Sequence, residues 1–353
     1  MLRKILYKPF FIKLLNWEYW PFHIVYMPVY LYWLWLGIKS RSFFFFNTSN
    51  PTIRNGGFLL ESKKEIYDLI PKEYYPVTLF FKAGSSLTDI QQEIKKNGLN
   101  YPLICKPDIG MQGKAVKKID NSNDLSSYIL ASNFDLLVQE YIAYENEVGI
   151  FYYRFPNQEN GVISGIVQKE LLAVTGNGTD TIEQLLRQDK RFILQLETLR
   201  STNSDDFNRI LKKAERHLLV PYGNHVRGAK FLDASHLIDQ TLSASLNQIC
   251  KQINGFYFGR LDIRYNNWEE FKAGKNFSII ELNGAGSEPT HMYDPKHSIF
   301  FAWKEIIRHL NILSHISRMN KKKYEMSYMS ISSGLQMFSV NREYIKLLDS
   351  FKI

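Results

Sequence analysis

Cysteine is nearly missing from this chain of 353 residues: there are two, Cys105 and Cys250, both in apolar surroundings and not in a CxxC pair. That composition excludes a disulfide scaffold, argues against structural zinc and favours a reducing compartment. The GxxxxGK[ST] loop and the GxGxxG fingerprint are both absent, so neither a Walker-type phosphate loop nor a dinucleotide turn is written in the chain. A GxSxG elbow and a recognisable Cys/His pairing motif are missing too, which leaves a protein-nucleophile chemistry without its residues. No internal repeat or low-complexity linker interrupts the sequence.

Apolar residues make up 45% of the chain, the share expected of a folded protein long enough for two or three compact layers. The net charge of +9 is unevenly placed. Residues 1–41 hold six cations (Arg3, Lys4, Lys8, Lys13, Lys39 and Arg41) against Glu18, and residues 317–353 hold seven against Glu325, Glu343 and Asp349. Residues 42–316 are balanced. A nucleic-acid enzyme carries its basic surface on the folded body, so nucleic acid is not expected as a partner.

Chemistry concentrates in GRLDIRYNNWEEFKAGKNFSIIELNGAGSEP, residues 259–289. Side chains on one strand face recur every second residue, so Arg260 and Asp262 point the same way, and Glu281 and Asn283 repeat the spacing on the next apolar run. Two carboxylates and an amide oxygen then converge beside a guanidinium. Hard oxygen ligands of this kind suit Mg²⁺ shared with substrate phosphates. A surface hairpin whose polar residues merely face water fits the same alternation.

Upstream, YPLICKPDIGMQGKAV (101–116) places an apolar strand, 102–105, before Lys106, then a loop with Gly110, Gly113 and Lys114. Glycines admit phosphate oxygens close to backbone N–H groups, and a strand-end lysine supplies a point charge. LLVQEYIAYENEVGI (136–150) enters Gln139 and Glu140 from one strand and opens another at Glu147. A strand edge offers backbone groups to an adenine rim and a carboxylate accepts from ribose hydroxyls, although either glutamate also reads as a surface charge.

Together and in this order, the three segments resemble the ATP-grasp superfamily, specifically its carboxylate–amine ligase branch, over residues 60–315. The resemblance implies an α+β fold of two lobes with ATP in the cleft, and Mg²⁺ or Mn²⁺ beside it. Lys106 would bind the α/β-phosphates under a mobile flap, Gly110 to Lys114, with Lys169 as a second phosphate contact. Glu140 and the backbone of Tyr141 and Ile142 would form the adenine hinge, and Glu147 would take the ribose. Asp262, Glu281 and Asn283 would ligate the metal, and Arg260 would stabilise the oxyanion of a tetrahedral intermediate. VTGNGTDTIEQLL (174–186) resembles a Gly turn before a capped helix, with Thr179 or Thr181 as N-cap and Glu183 in the first turn. His225 and Arg227 are candidates for a substrate carboxylate. The implied activity joins a carboxylate to an amine of a small amino-acid or peptide-like substrate through an acyl phosphate, releasing ADP and phosphate. A small-molecule kinase and a nonenzymatic ATP-binding protein are the alternatives.

The resemblance fails at the amino terminus, where too few residues precede the family helix expected at 61–70 for a full Rossmann-like domain. NGAGSEPTHMYDP (283–295) also departs from a common Pro-Gly, leaving Ser287 and His291 either in an acceptor pocket or in a turn. The expected division is a basic aromatic segment (1–59), a first lobe (60–140), a second lobe (141–316) closed by a helix at 298–316, and a basic appendage (317–353). WPFHIVYMPVYLYWLWLGI (20–38) carries no charge but holds Pro21, Pro28 and many Trp and Tyr, which prefer the headgroup level of a bilayer. It either wraps the core or touches an anionic membrane, a bilayer span being the remaining reading; the enzyme would be cytoplasmic, with residues 1–41 as the membrane contact.

Overall fold

The computed structural model describes residues 7–111, 113–202, 206–220, 223 and 228–351. Two antiparallel sheets carry the fold. The first contains β1 (Thr78–Phe81), β2 (Leu103–Pro107), β3 (Lys117–Ile119) and β4 (Leu136–Glu140), in the order β1-β4-β2-β3. The second contains β5 (Asn146–Tyr153), β6 (Val162–Glu170), β9 (Lys230–Asp233), β10 (Phe258–Tyr265) and β11 (Phe277–Asn283), in the order β11-β10-β5-β6-β9; β7 (Ala173–Thr175) and β8 (Arg216–Leu218) form a separate ribbon. Residues 141–145 link the last strand of the first sheet to the first strand of the second.

The helices are α1 (Pro9–Leu15), α2 (Phe22–Ser40), α3 (Lys63–Leu69), α4 (Leu87–Lys96), α5 (Ser122–Ala131), α6 (Ile182–Leu186), α7 (Lys190–Ile193), α8 (Leu196–Thr202), α9 (Gln240–Gln252), α10 (Trp268–Lys272), α11 (Ile299–Lys323) and α12 (Ile331–Ser350). Several start where a short polar side chain accepts from the first turn and satisfies an otherwise orphaned N–H. Ser62 receives Glu65 N, Ser86 receives Asp89 N, and Asp239 receives Leu242 N. Of the two threonines expected to cap α6, Thr181 does so, in a capping box with Gln184.

Strand alternation divides the second sheet into a core face and a polar face. Val148, Ile150 and Tyr152 of β5, with Leu261 and Ile263 of β10, pack against α9 residues Leu242, Leu246 and Ile249. The intervening residues Phe151 and Phe258 pack on the opposite side with Leu313 and Ile316 of α11. Glu147, Gly149, Arg260 and Asp262 share the parity of those phenylalanines and sit farther along the same strands.

Several expected boundaries move. The strand placed at 102–105 runs through Leu103–Pro107 and takes Lys106 into the ladder. The helix expected at 61–70 begins after the Ser62 cap and ends at Leu69. The closing helix extends past 316 to Lys323, because its buried positions continue through Ser317 and Asn320. Within the expected basic appendage, Met337 of α12 joins the core of Phe44 and Phe46, and Leu348 joins the first-sheet core of Leu103, Leu125 and Val138. Among the described residues no helix is long and apolar enough to cross a membrane.

Candidate active site

The register of β10 brings the chemistry-bearing residues together. Asp262 lies opposite Glu281 and Arg260 opposite Asn283 on β11, while on the other side Asp262 faces Gly149 and Arg264 faces Glu147 on β5. Arg260 grips Asp262 through two hydrogen bonds, Nε to Oδ1 at 2.9 Å and Nη2 to Oδ2 at 3.1 Å. Lys169, from β6, bridges Glu147 Oε1 at 2.8 Å and Asp262 Oδ2 at 3.1 Å. Arg264 Nε stands 3.4 Å from the other oxygen of Glu147. These groups alternate in sign and are buried, so each charge has a partner in place of lost water.

Burial penalises the Asp262 carboxylate, yet Arg260 and Lys169 outweigh that and hold it below its ordinary pKa. Lys169 is likewise disfavoured by desolvation but raised overall by Asp262 and Glu147. Glu281 continues the network toward α3, with Lys63 Nζ at 3.4 Å from Oε1. Desolvation opposes the charge of Glu281, and Lys63, Lys106 and Arg260 together more than compensate, leaving its pKa below the ordinary value.

Lys106 behaves differently. Its Nζ donates to Tyr67 Oη and Gln139 Oε1, each at 2.8 Å, and lies 3.4 Å from the Ile280 carbonyl. Gln139 is oriented for this by donating its Nε2 to Thr78 Oγ1 at 2.7 Å. These partners are neutral, so desolvation dominates and lowers the Lys106 pKa to about 7. A buried lysine ready to regain its charge beside an anion stands where the first sheet meets β11.

Other expected residues border this network or lie outside it. Lys63 Nζ donates to the Gly110 carbonyl at 2.8 Å, and Gly113 takes the left-handed φ of 69° that favours glycine. Lys114 pairs outward with Asp349 of α12. Gln112, within that loop, and His225 and Arg227 lie outside the described residues. Glu140 is exposed and its Oε2 accepts from Val77 N at 3.3 Å. Tyr141 lies beneath Lys118 and Arg264, whose charged ends are 5.2 and 5.7 Å from its ring centre, and the Ile142 carbonyl accepts from Arg264 Nη1 at 2.9 Å. Ser287 Oγ donates to the carbonyls of Asn283 and Gly284, closing a turn, and His291 is buried against Glu305 at 3.2 Å.

Sequence reasoning missed Lys63, Glu61, Tyr67, Gly149, Arg264 and Glu288. The Glu61 carboxyl is pushed up by burial, and its Oε2 has no hydrogen-bond partner. Glu288 receives the Tyr26 hydroxyl from α2 and the Tyr293 hydroxyl, and its carbonyl is 3.5 Å from Arg260 Nη1. Arg264 and Gly149 continue the i, i+2 alternation of Asp262 and Glu147, whereas local spacing carried no signal for Lys63, Glu61 and Tyr67, which come from a segment far from these strands in the chain.

The fit to Mg²⁺ rests on the donor chemistry. Asp262, Glu281 and Asn283 supply hard oxygens on paired strands, and Asn283 Nδ2 is buried without a partner; turning that amide puts its oxygen in the same place. Contrary to the expectation of carboxylates converging on a metal, Asp262 and Glu281 are held by Arg260, Lys169 and Lys63, and among the described residues no three His, Cys, Asp or Glu side chains form a ready metal cluster.

The model of the RimK-like ATP-grasp domain family matches residues 71–168, from ahead of β1 to within β6. The VanG D-Ala:D-Ser ligase from Enterococcus faecalis is 15% identical over 73% of this chain and 61% of its own, with a TM-score of 0.40. The D-alanine–D-alanine ligase from Bacillus anthracis is 14% identical over 74% and 68%, with a TM-score of 0.41. A bifunctional glutathione synthetase from Pasteurella multocida is 14% identical over 69% of this chain and 34% of its own, with a TM-score of 0.37. The chain thus spans about three-fifths of the first of these and about a third of the last. No curated protein matches it in sequence. The fold is ATP-grasp, of the α+β class. Within the chain, residues 71–168 are the part that is similar to a RimK-like ATP-grasp domain.

Proposed function

We propose that this protein is an ATP-dependent carboxylate–amine ligase acting on a small amino-acid or peptide-like substrate. The observation that carries the reading is the network in which Lys63, Lys106, Lys169 and Arg260 interleave with Glu147, Asp262 and Glu281 around the junction of the two sheets. Cations of this density suit a triphosphate, and when its oxygens take Lys63 and Lys169, Glu281 is released from its ion pair and Asp262 keeps Arg260 alone. Bound Mg²⁺ or Mn²⁺, held by those two carboxylates and Asn283, would neutralise charge on the transferring phosphoryl group.

In the reaction, a substrate carboxylate oxygen attacks the γ-phosphorus of ATP and ADP leaves, forming an acyl phosphate. An amine nitrogen then attacks the acyl carbon, Arg260 balances the oxyanion of the tetrahedral intermediate, and phosphate departs as the nitrogen loses a proton. Lys106 and Lys169 position the phosphates and no side chain is acylated. Glu140 with the backbone of Tyr141 and Ile142 is assigned to the adenine edge and Glu147 to the ribose, with Lys169 and Arg264 orienting the Glu147 carboxylate. The two buried free thiols, Cys105 and Cys250, suit the reducing cytoplasm.

Incubation with ATP, Mg²⁺ and pools of amino acids and dipeptides, with mass detection of products, tests the reading. A new amide formed in step with ADP and phosphate is the expected result. AMP with pyrophosphate, or a stable phosphorylated product with ADP and no free phosphate, overturns it.

A further inference from the structure

Helix α2 is apolar on opposite sides, and the structure covers only one of them. Val25, Val29, Leu36 and Ser40 are buried. Val29 packs with Met292, Ala302 and Ile306, Leu36 packs with Phe45 and Leu313, and Trp303 Nε1 donates to the Val25 carbonyl at 2.8 Å. The opposite stripe, Ile24, Met27, Leu31, Leu34, Trp35 and Ile38, repeats at helical spacing and faces solvent, Leu31 and Ile38 being 72% and 71% exposed. Short α1 repeats the pattern, burying Ile12 and exposing Phe10, Leu14 and Leu15. Isolated apolar residues on a surface need no explanation, but a continuous stripe of this size marks an interaction face.

The charges around the stripe select its occupant. Lys8, Lys13, Lys39 and Arg41 are exposed on α1 and at the carboxyl end of α2, and Lys39 Nζ lies over the Trp35 ring at 4.9 Å. The acid of this region, Glu18, is turned inward onto Arg191 at 2.6 Å. A second copy of the chain docking through the same face in a two-fold pair would bring like charges together. An anionic bilayer instead supplies opposite charge, a headgroup layer for Trp35 and Tyr30, and hydrocarbon for Ile24, Leu31 and Ile38.

We propose that the outward stripe of α2, with α1, is a peripheral docking face for an anionic lipid membrane, the helix lying in the interface rather than crossing it. On this proposal the core-wrap and membrane readings of residues 20–38 each describe one side of the same helix.

The test is flotation of the full chain with phosphatidylcholine vesicles, with and without phosphatidylserine. The expected result is binding to the phosphatidylserine vesicles that weakens at high salt without complete release. Each of Lys8→Ala, Lys13→Ala and Lys39→Ala should weaken it about fivefold. Leu31→Glu with Ile38→Glu should weaken it at least about tenfold while leaving the circular dichroism spectrum and ATP turnover unchanged. Equal binding to both vesicle types overturns the choice of anionic lipid. Unaltered binding by the double glutamate variant overturns the assigned face. A wild-type dimer that ignores vesicles and dissociates on the same double substitution assigns the stripe to a second copy and overturns the proposal.

Discussion

Gly149 lies directly opposite Asp262 across β5 and β10, and a Cβ at position 149 would come within 2.9 Å of Asp262 Oδ1 and 3.2 Å of Arg260 Cδ. The missing side chain is what admits the Arg260–Asp262 pair to the sheet surface. Gly149→Val should therefore displace both residues, cost about 1–3 kcal/mol through overpacking, and abolish turnover. Thermal unfolding and ATP turnover check it, and wild-type values for both would show that the pair does not need this space.

Asp262→Asn and Glu281→Gln should each lower turnover by on the order of 10²-fold or more, since each removes a charge from the phosphate-facing network. Their stability effects should differ. Asp262 is buried between Arg260 and Lys169, so neutralising it leaves Arg260 without its ion-pair partner and Lys169 with Glu147 alone, at a cost of about 3–5 kcal/mol. Glu281 is 34% exposed on its side chain, and its loss should cost well under that. Urea denaturation compares the two; an equally stable Asp262→Asn protein contradicts the ion-pair account.

Lys106 predicts a pH signature. Its pKa falls from an ordinary 10.5 to about 7 because burial disfavours the ammonium. The cost to folding is fully present below pH 7 and fades as the pH rises toward 10.5. A bound triphosphate restores the charge, so at pH 8–9 nucleotide binding should take up close to one proton, and affinity should fall by up to about tenfold per pH unit above 7. Titration calorimetry in buffers of different ionisation enthalpy measures the uptake, and Lys106→Met should abolish it. An uptake near zero in the wild type would separate Lys106 from the phosphates.

Leu348→Ala should destabilise the protein by about 2–5 kcal/mol, because this residue of α12 is 3% exposed within the first-sheet core. Asp349→Asn, which removes the partly exposed pair with Lys114, should cost at most about 1 kcal/mol. Denaturant midpoints for the two variants distinguish a helix built into the core from one held only by surface charge.

The i, i+2 spacing of Arg260 with Asp262 and of Glu281 with Asn283 was legible in the sequence because strand alternation is a local property. The packing of the long basic end was not legible, since nothing local shows that Met337 meets Phe44 and Phe46 or that Leu348 meets a core built from residues more than 200 positions earlier. The partners of the site were hidden for the same reason. Lys63 reaches Glu281, Arg264 reaches Glu147, and Tyr26 reaches Glu288 only because separate segments pack together. For α2, composition determined that the segment is apolar and uncharged as far as Ile38. Tertiary structure decided that the side bearing Val29 and Leu36 is covered by α11 and its neighbours while the side bearing Leu31 and Ile38 stays open, because burial depends on what packs against a helix as much as on its own residues.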